Sequence, residues 1–271
     1  VWLPDVLHVA FVPTGLCLCT VDPVRRKVRE YNEIALGQSA AVAGESSWQP
    51  WVDALAAWLC ERPRQRFNVS VVLPDGLVRY QVLPWRSGIS ISAEWQAYAA
   101  YRFREVYGER AATWRFQVAL TPPGETALAT AIDAKLLEAL RGVVSKPSKL
   151  VSVQPRFVAG YNHWRQKLKG KSCWFATHEH GRVCLGFIQQ GRWQVVRNES
   201  CAELSSQGMA ELLHRLDLTL DESARSAPVF CTGEFADEAP QSSLAGHSLH
   251  SLRLPVDGHP GRHQMAMARG L

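Results

Sequence analysis

No stretch of the 271-residue chain approaches the roughly 20 consecutive apolar residues that a membrane-spanning helix requires, and the N-terminus carries no basic segment followed by an apolar one. The expectation is a cytosolic chain. Also missing are a Gly-x-Ser-x-Gly elbow, a Walker-type loop, a His-Glu-x-x-His pair and a dinucleotide-binding fingerprint, so serine-hydrolase, P-loop and Rossmann readings have no motif behind them. There is no Cys-x-x-Cys pair either. The seven cysteines, Cys17, Cys19, Cys60, Cys173, Cys184, Cys201 and Cys231, are odd in number and lie mostly within apolar runs, which reads as buried thiols in a reducing compartment.

Charge is scarce as well. Charged residues make up 20% of the chain against 46% hydrophobic, enough apolar surface to offset the ordering entropy of folding. The net charge of +5 is spread over Val24–Arg29, Arg62–Arg66 and Arg165–Lys171 rather than gathered in one run. A nucleic-acid partner is therefore not expected, because a surface that tracks a phosphate backbone concentrates its cations; attraction to an anionic membrane surface fits equally well. What the chain does have is tryptophan, ten in all, most of them expected in the core and one or two at a contact surface.

The length favours two lobes over one core. The first opens as a meander: apolar runs at Leu7–Val12, Leu16–Val21 and Val28–Leu36 are separated by Pro13-Thr14-Gly15 and Asp22-Pro23. A helix is expected at Trp48–Cys60, where Trp51, Leu55, Trp58 and Leu59 recur at helical spacing, packed on the meander. Asn68–Pro84 holds two β-rich runs around Pro74-Asp75-Gly76, either a hairpin or a strand that re-enters a second sheet. A helix at Ser92–Tyr107, a strand at Trp114–Leu120, a long helix at Ala127–Val144, a strand at Leu150–Val153 and a helix at Phe157–Lys167 follow.

Past the basic, glycine-containing stretch Lys167–Ser172 the opening pattern returns. Cys173–Thr177, Arg182–Gln189 and Gly191–Arg197 form a second meander with a turn at His178–Gly181. Behind it come a helix at Glu203–Leu216, a strand at Pro228–Cys231 and a tail closed by a helical turn at His263–Gly270. A meander followed by helix, strand and helix thus occurs twice, a duplication of topology rather than of residues. The expected organisation is a first lobe at 1–170, with a small subdomain inserted at about 67–120, and a second, reduced lobe at 171–271.

That doubled order resembles the actin, Hsp70 and sugar-kinase superfamily, and more narrowly the group containing the type IV pilus assembly protein PilM, its relatives in MSHA pilus biogenesis and the cytoplasmic part of the type II secretion protein GspL. Three stretches carry the resemblance: Ser70–Pro84, where these proteins insert a small subdomain; Thr130–Leu140 leading to Leu150–Pro155, where they have a helix and the next strand; and Gln264–Leu271, similar to their closing helix. The resemblance implies an α/β chain with mixed sheets, built as two ribonuclease-H-like lobes of the actin-like ATPase fold.

It also implies where a nucleotide would sit. Active members follow the first strand of each lobe with Asp-x-Gly, a carboxylate for magnesium and a glycine for close phosphate approach. Here the first turn is Phe11-Val12-Pro13-Thr14-Gly15, without the acid. The second is Ala176-Thr177-His178-Glu179-His180-Gly181, with Glu179 the one carboxylate at hand, and the adenosine-side turn reads Thr232-Gly233-Glu234. Thr14, Gly15, His178, Glu179, Gly181, Thr232 and Gly233 are thus a degenerate nucleotide set. Phosphoryl transfer depends on metal-assisted charge neutralisation, so no turnover and no cofactor are expected, and bound ATP with magnesium is disfavoured.

The function implied is a cytoplasmic scaffold of a pilus or type II secretion-like assembly platform, peripheral at the inner membrane through its partner. The groove between the first lobe and its small subdomain would hold the cytoplasmic tail of an inner-membrane protein. Trp85, Trp95 and Tyr98 are the candidate contacts for an extended peptide, set against a core role for each. Self-association is left open. The competing readings are an ATPase or small-molecule kinase using Asp22 or Glu179 as a surrogate acid, and a metal site at His178-Glu179-His180, for which an exposed polar turn is the simpler account. His247, His250, His259 and His263 are expected to face solvent.

Overall fold

A computed structural model describes residues 3–25, 27–36, 48–179, 181–200, 206–233, 243–244 and 246–252. Packing divides the chain into two compact units, one built on Val1–Leu77 with Ala134–His163 and the other on Val78–Asp133 with Trp164–Arg253.

The first unit is built on a five-stranded sheet. β1 (Asp5–Val12), β2 (Gly15–Val21) and β3 (Val28–Ala35) form the antiparallel meander, and β4 (Phe67–Leu73) and β8 (Lys149–Pro155) add in parallel, in the order β3-β2-β1-β4-β8. β2 is buried along its whole length because both of its faces are covered. Helix α1 (Gln49–Cys60) lies on one face, where the Trp51 ring stacks on Phe11 at 5.7 Å. On the other, Ala159 of α4 (Arg156–Leu168) packs with Ala10, Val12, Cys17 and Cys19. These residues alternate in β1 and β2, so each face receives every second side chain.

The second unit holds two sheets. One has the order β11-β10-β9-β12-β14-β13. In it β9 (Cys173–Glu179), β10 (Arg182–Gln189) and β11 (Arg192–Ser200) form an antiparallel meander, and β12 (Val229–Gly233) and β14 (His247–Ser251) run parallel to β9. β13 (Ser243–Leu244) closes the edge. Helix α5 (Ser206–Asp217) covers this sheet with Met209, Leu212, Leu213 and Leu216, and the short α6 (Glu222–Arg225) takes the Trp174 indole N–H on its Ala224 carbonyl at 3.1 Å.

The other sheet, β5-β7-β6, contains β5 (Arg79–Leu83), β7 (Ala127–Asp133) and β6 (Trp114–Val118) under helix α2 (Ser92–Tyr107). The two β-rich runs around Pro74-Asp75-Gly76 thus split between sheets instead of forming a hairpin: β4 stays in the five-stranded sheet and β5 enters the small one.

Several expectations are corrected. The long helix expected at Ala127–Val144 is a strand followed by a shorter helix, α3 (Ala134–Val143). Alanine favours helix in isolation, but Ala127, Ala129 and Ala131 fall on one side of a central strand, where only small side chains fit beneath Trp95, Ala99 and Phe103 of α2. The tail after Pro228–Cys231, for which only a closing helical turn was expected, contributes β14. His247 is completely buried, contrary to the expectation of a solvent-facing histidine, whereas His250 is exposed as expected. Cys60 is exposed, unlike Cys17, Cys19, Cys173, Cys184 and Cys231, which are buried as read. The expected helical turn at 263–270, together with Cys201, His259 and His263, lies outside the described residues.

Candidate functional site

The opening turn of the first unit is fixed by its own backbone. Gly15 pairs with Val12 and with Ala35, and a Cβ placed on it would lie 1.9 Å from the Ile34 carbonyl oxygen. The glycine is required by the approach of β3, whatever else the turn does. The Thr14 side chain is exposed, while its carbonyl accepts the Leu36 N–H at 2.8 Å; the Val12 carbonyl accepts the Trp51 indole N–H at 2.8 Å. The turn therefore offers a divalent ion no carboxylate, and two of its carbonyl oxygens are already accepting.

The acid nearest in sequence to the next strand end is Asp75, after β4. It is buried, and its carboxylate accepts the Phe157 N–H at 3.0 Å, capping the start of α4. Arg156, the first residue of α4, is also buried. Burial pushes the nearby Cys17 thiol up to about 11, against a lowering by its hydrogen bond with Tyr31 and a smaller one by the Arg156 charge. Cys17 is thus a packed thiol rather than a nucleophile.

The corresponding turn of the second unit differs. β9 continues through Glu179, so the expected turn at His178–Gly181 begins later, and Gly181 takes a left-handed conformation (φ 71°). His178 is buried, contrary to the exposed turn expected, and lies between Val183 of β10 and Gly233 of β12. Thr232, also buried, pairs with Thr177. The fold thus brings His178, Glu179, Thr232 and Gly233 to one end of the second sheet, while Thr14 and Gly15 belong to the first. His180 lies outside the described residues, as does the side chain of Glu179. Among the described residues no group of three His, Cys, Asp or Glu is placed to hold a metal. Asp22, the other surrogate acid considered, sits a whole strand away from Gly15, where it binds the N–H groups of Val24 and Arg25 at 2.9 Å and the Arg29 guanidinium at 2.6 Å.

The three aromatic candidates separate by burial. Trp95 is 7% exposed and belongs to the core beneath α2, so it has no face to offer a partner. Trp85, in the loop after β5, is 41% exposed. Tyr98 is half-buried, with the Arg86 guanidinium over its ring at 5.6 Å, which ties the Trp85 loop to α2. Tyr101 extends this surface at 59% exposure; the Glu105 carboxylate beside its hydroxyl raises its pKa. Helical periodicity contained the signal for Tyr101. With Trp95, Ala99 and Phe103 on the buried side of α2, position 101 falls on the opposite side. β6, beside this helix, pairs with β7 alone, and no described strand pairs with its other edge.

No family model matches the chain, and no curated protein matches it in sequence. Among solved structures, the PilM-PilN type IV pilus biogenesis complex superposes with a TM-score of 0.65 at 16% identity, over 98% of this chain and 97% of that one. The cytoplasmic domain of EpsL, an inner-membrane component of the type II secretion system of Vibrio cholerae, gives 0.59 at 12% identity, over 98% and 94%. A Bacteroides thetaiotaomicron protein with actin-like ATPase fold and unknown function gives 0.59 at 10%, over 86% and 84%. The chain has the actin-like ATPase fold.

Proposed function

We propose that the chain is a cytoplasmic scaffold of a type IV pilus or type II secretion-like assembly platform, which holds the cytoplasmic tail of an inner-membrane partner and does not turn over ATP. The observation that carries this reading is the near end-to-end likeness to the PilM-PilN complex and to the EpsL cytoplasmic domain, joined to an opening turn, Val12-Pro13-Thr14-Gly15, that contains no carboxylate. In this assignment residues 1–170 form the first lobe and 171–271 the reduced second one. The tail binds as an extended segment on the small sheet, with main-chain hydrogen bonds to the edge of β6 away from β7 and apolar contacts to Trp85, Tyr98 and Tyr101.

Calorimetry with synthetic tails of inner-membrane pilus and secretion proteins tests the reading. One tail is expected to bind with a dissociation constant on the order of micromolar and to lose about tenfold with Trp85→Ala. Absence of binding across the set, or magnesium-dependent ATP hydrolysis by the purified chain, overturns it.

A further inference from the structure

The cations that are scattered in sequence meet at one end of the first unit. β2 runs antiparallel to β1, with Val6 opposite Val21, so the β2–β3 turn lies at the N-terminal end of β1. β4 and β8 run parallel to β1, with Asp5 beside Phe67 and Asn68 beside Lys149, so the links that enter them reach the same end. The Phe67 N–H donates to the Ser148 hydroxyl at 3.1 Å and ties those two links together. This end is a full strand length from Thr14 and Gly15.

Exposed on it are Arg25 and Lys27 of the turn, Arg64 and Arg66 of the link into β4, and Lys146 and Lys149 at the entry to β8. None of these cations pairs with a carboxylate among the described residues. The carboxylates present, Asp5, Asp22, Glu30 and Glu61, are each held by Arg29 or Arg62 at 2.6–3.3 Å. Between the cations stand aliphatic tips: Val24 is 74% exposed at the apex of its turn, and Leu3 is 61% exposed just before β1.

We infer that this end of the first unit docks directly on an anionic phospholipid bilayer. Unpaired cations on short loops match a sheet of phosphate headgroups, and exposed aliphatic side chains among them insert at the headgroup level. A single-stranded nucleic acid is a poorer fit, because it is bound by aromatics that stack on its bases, where this end presents the aliphatic tips of Val24 and Leu3, which a duplex would leave exposed. No described helix is long and apolar enough to cross a membrane. The inference goes beyond tail binding and does not require it.

Flotation with phosphatidylcholine vesicles, with and without phosphatidylglycerol, tests the inference on the isolated chain. Partitioning onto the anionic vesicles is expected to exceed that onto neutral ones by about tenfold or more and to fall as salt is raised. The double reversals K146E/K149E and R64E/R66E are each expected to lower it by about tenfold, with melting temperature and tail-peptide affinity unchanged. Equal partitioning on neutral and anionic vesicles, insensitivity to both reversals, or equal capture by duplex DNA or polyglutamate beads overturns it. Failure of tail binding alone leaves it standing.

Discussion

In the five-stranded sheet the turn after the opening strand is held by backbone: Gly15 is pressed against the Ile34 carbonyl, and Val12 and Thr14 spend their carbonyls on Trp51 and Leu36. In the six-stranded sheet, with the same order and sense of its first five strands, buried polar side chains are used instead. His178 and Thr232 lie at the C-terminal ends of their strands, and at the opposite end of the sheet His247 of β14 joins the Ala227 carbonyl and the Asp217 carboxylate, each at 2.8 Å. One topology thus tolerates two ways of closing its strand ends. What it demands is strand order and alternate burial, not a particular set of groups at the turns.

The difference can be broken by mutation. Gly15→Ala is expected to be the most damaging change, about 4 kcal/mol in urea unfolding, because backbone rather than a mobile side chain must move. Gly191→Ala, in the β10–β11 turn, where nothing lies within 4 Å of an added Cβ, is expected to cost only about 1 kcal/mol, the strain of its positive φ. Equal costs would end the contrast.

His247→Leu leaves Asp217 without its buried partner and is expected to cost about 3 kcal/mol. Asp75→Ala, which strips the cap from α4, is expected to cost about 2 kcal/mol. A larger effect from Asp75 than from His247 would place the more critical polar contact in the first sheet. Thiol labelling followed by mass spectrometry should modify Cys60 at once and leave Cys17 and Cys173 unreacted until unfolding, since burial pushes both thiols up to about 11. Fast reaction at Cys17 would contradict the packing of β2 beneath α4.

The smallest effect concerns acid. The Arg25 N–H first, and then Arg29, hold Asp22 down to about 2. Its stabilising contribution is therefore complete above about pH 4, the ordinary carboxylate value, and is lost as the pH falls toward about 2. An NMR titration in which Asp22 protonates near its ordinary value would remove the turn contacts described for it.

Both meanders, α1, α2 and α4 were legible because they rest on local signals: alternating apolar residues, helical spacing and turn dipeptides. The strand at Ala127–Asp133 was not, because its alanines are chosen by the rings of α2 above them, a partner distant in sequence. The burial of His247 escaped notice because a lone histidine in a polar tail gives no sign of Asp217, which lies on another element. Among the aromatic candidates, composition marked Trp95 and Trp85 alike, and only packing separated the buried ring from the exposed one.

The sequence by itself determined the doubled order of elements and the lack of an acid at Thr14, because chain order and residue identity need no partner to be read. Tertiary structure alone decided that Val24–Arg29 and Arg62–Arg66, separated in the chain, lie at one end of one sheet beside Lys146 and Lys149. Parallel strands joined by crossovers return every link to the same side, so charge that looks diffuse along the chain becomes a concentrated field in space.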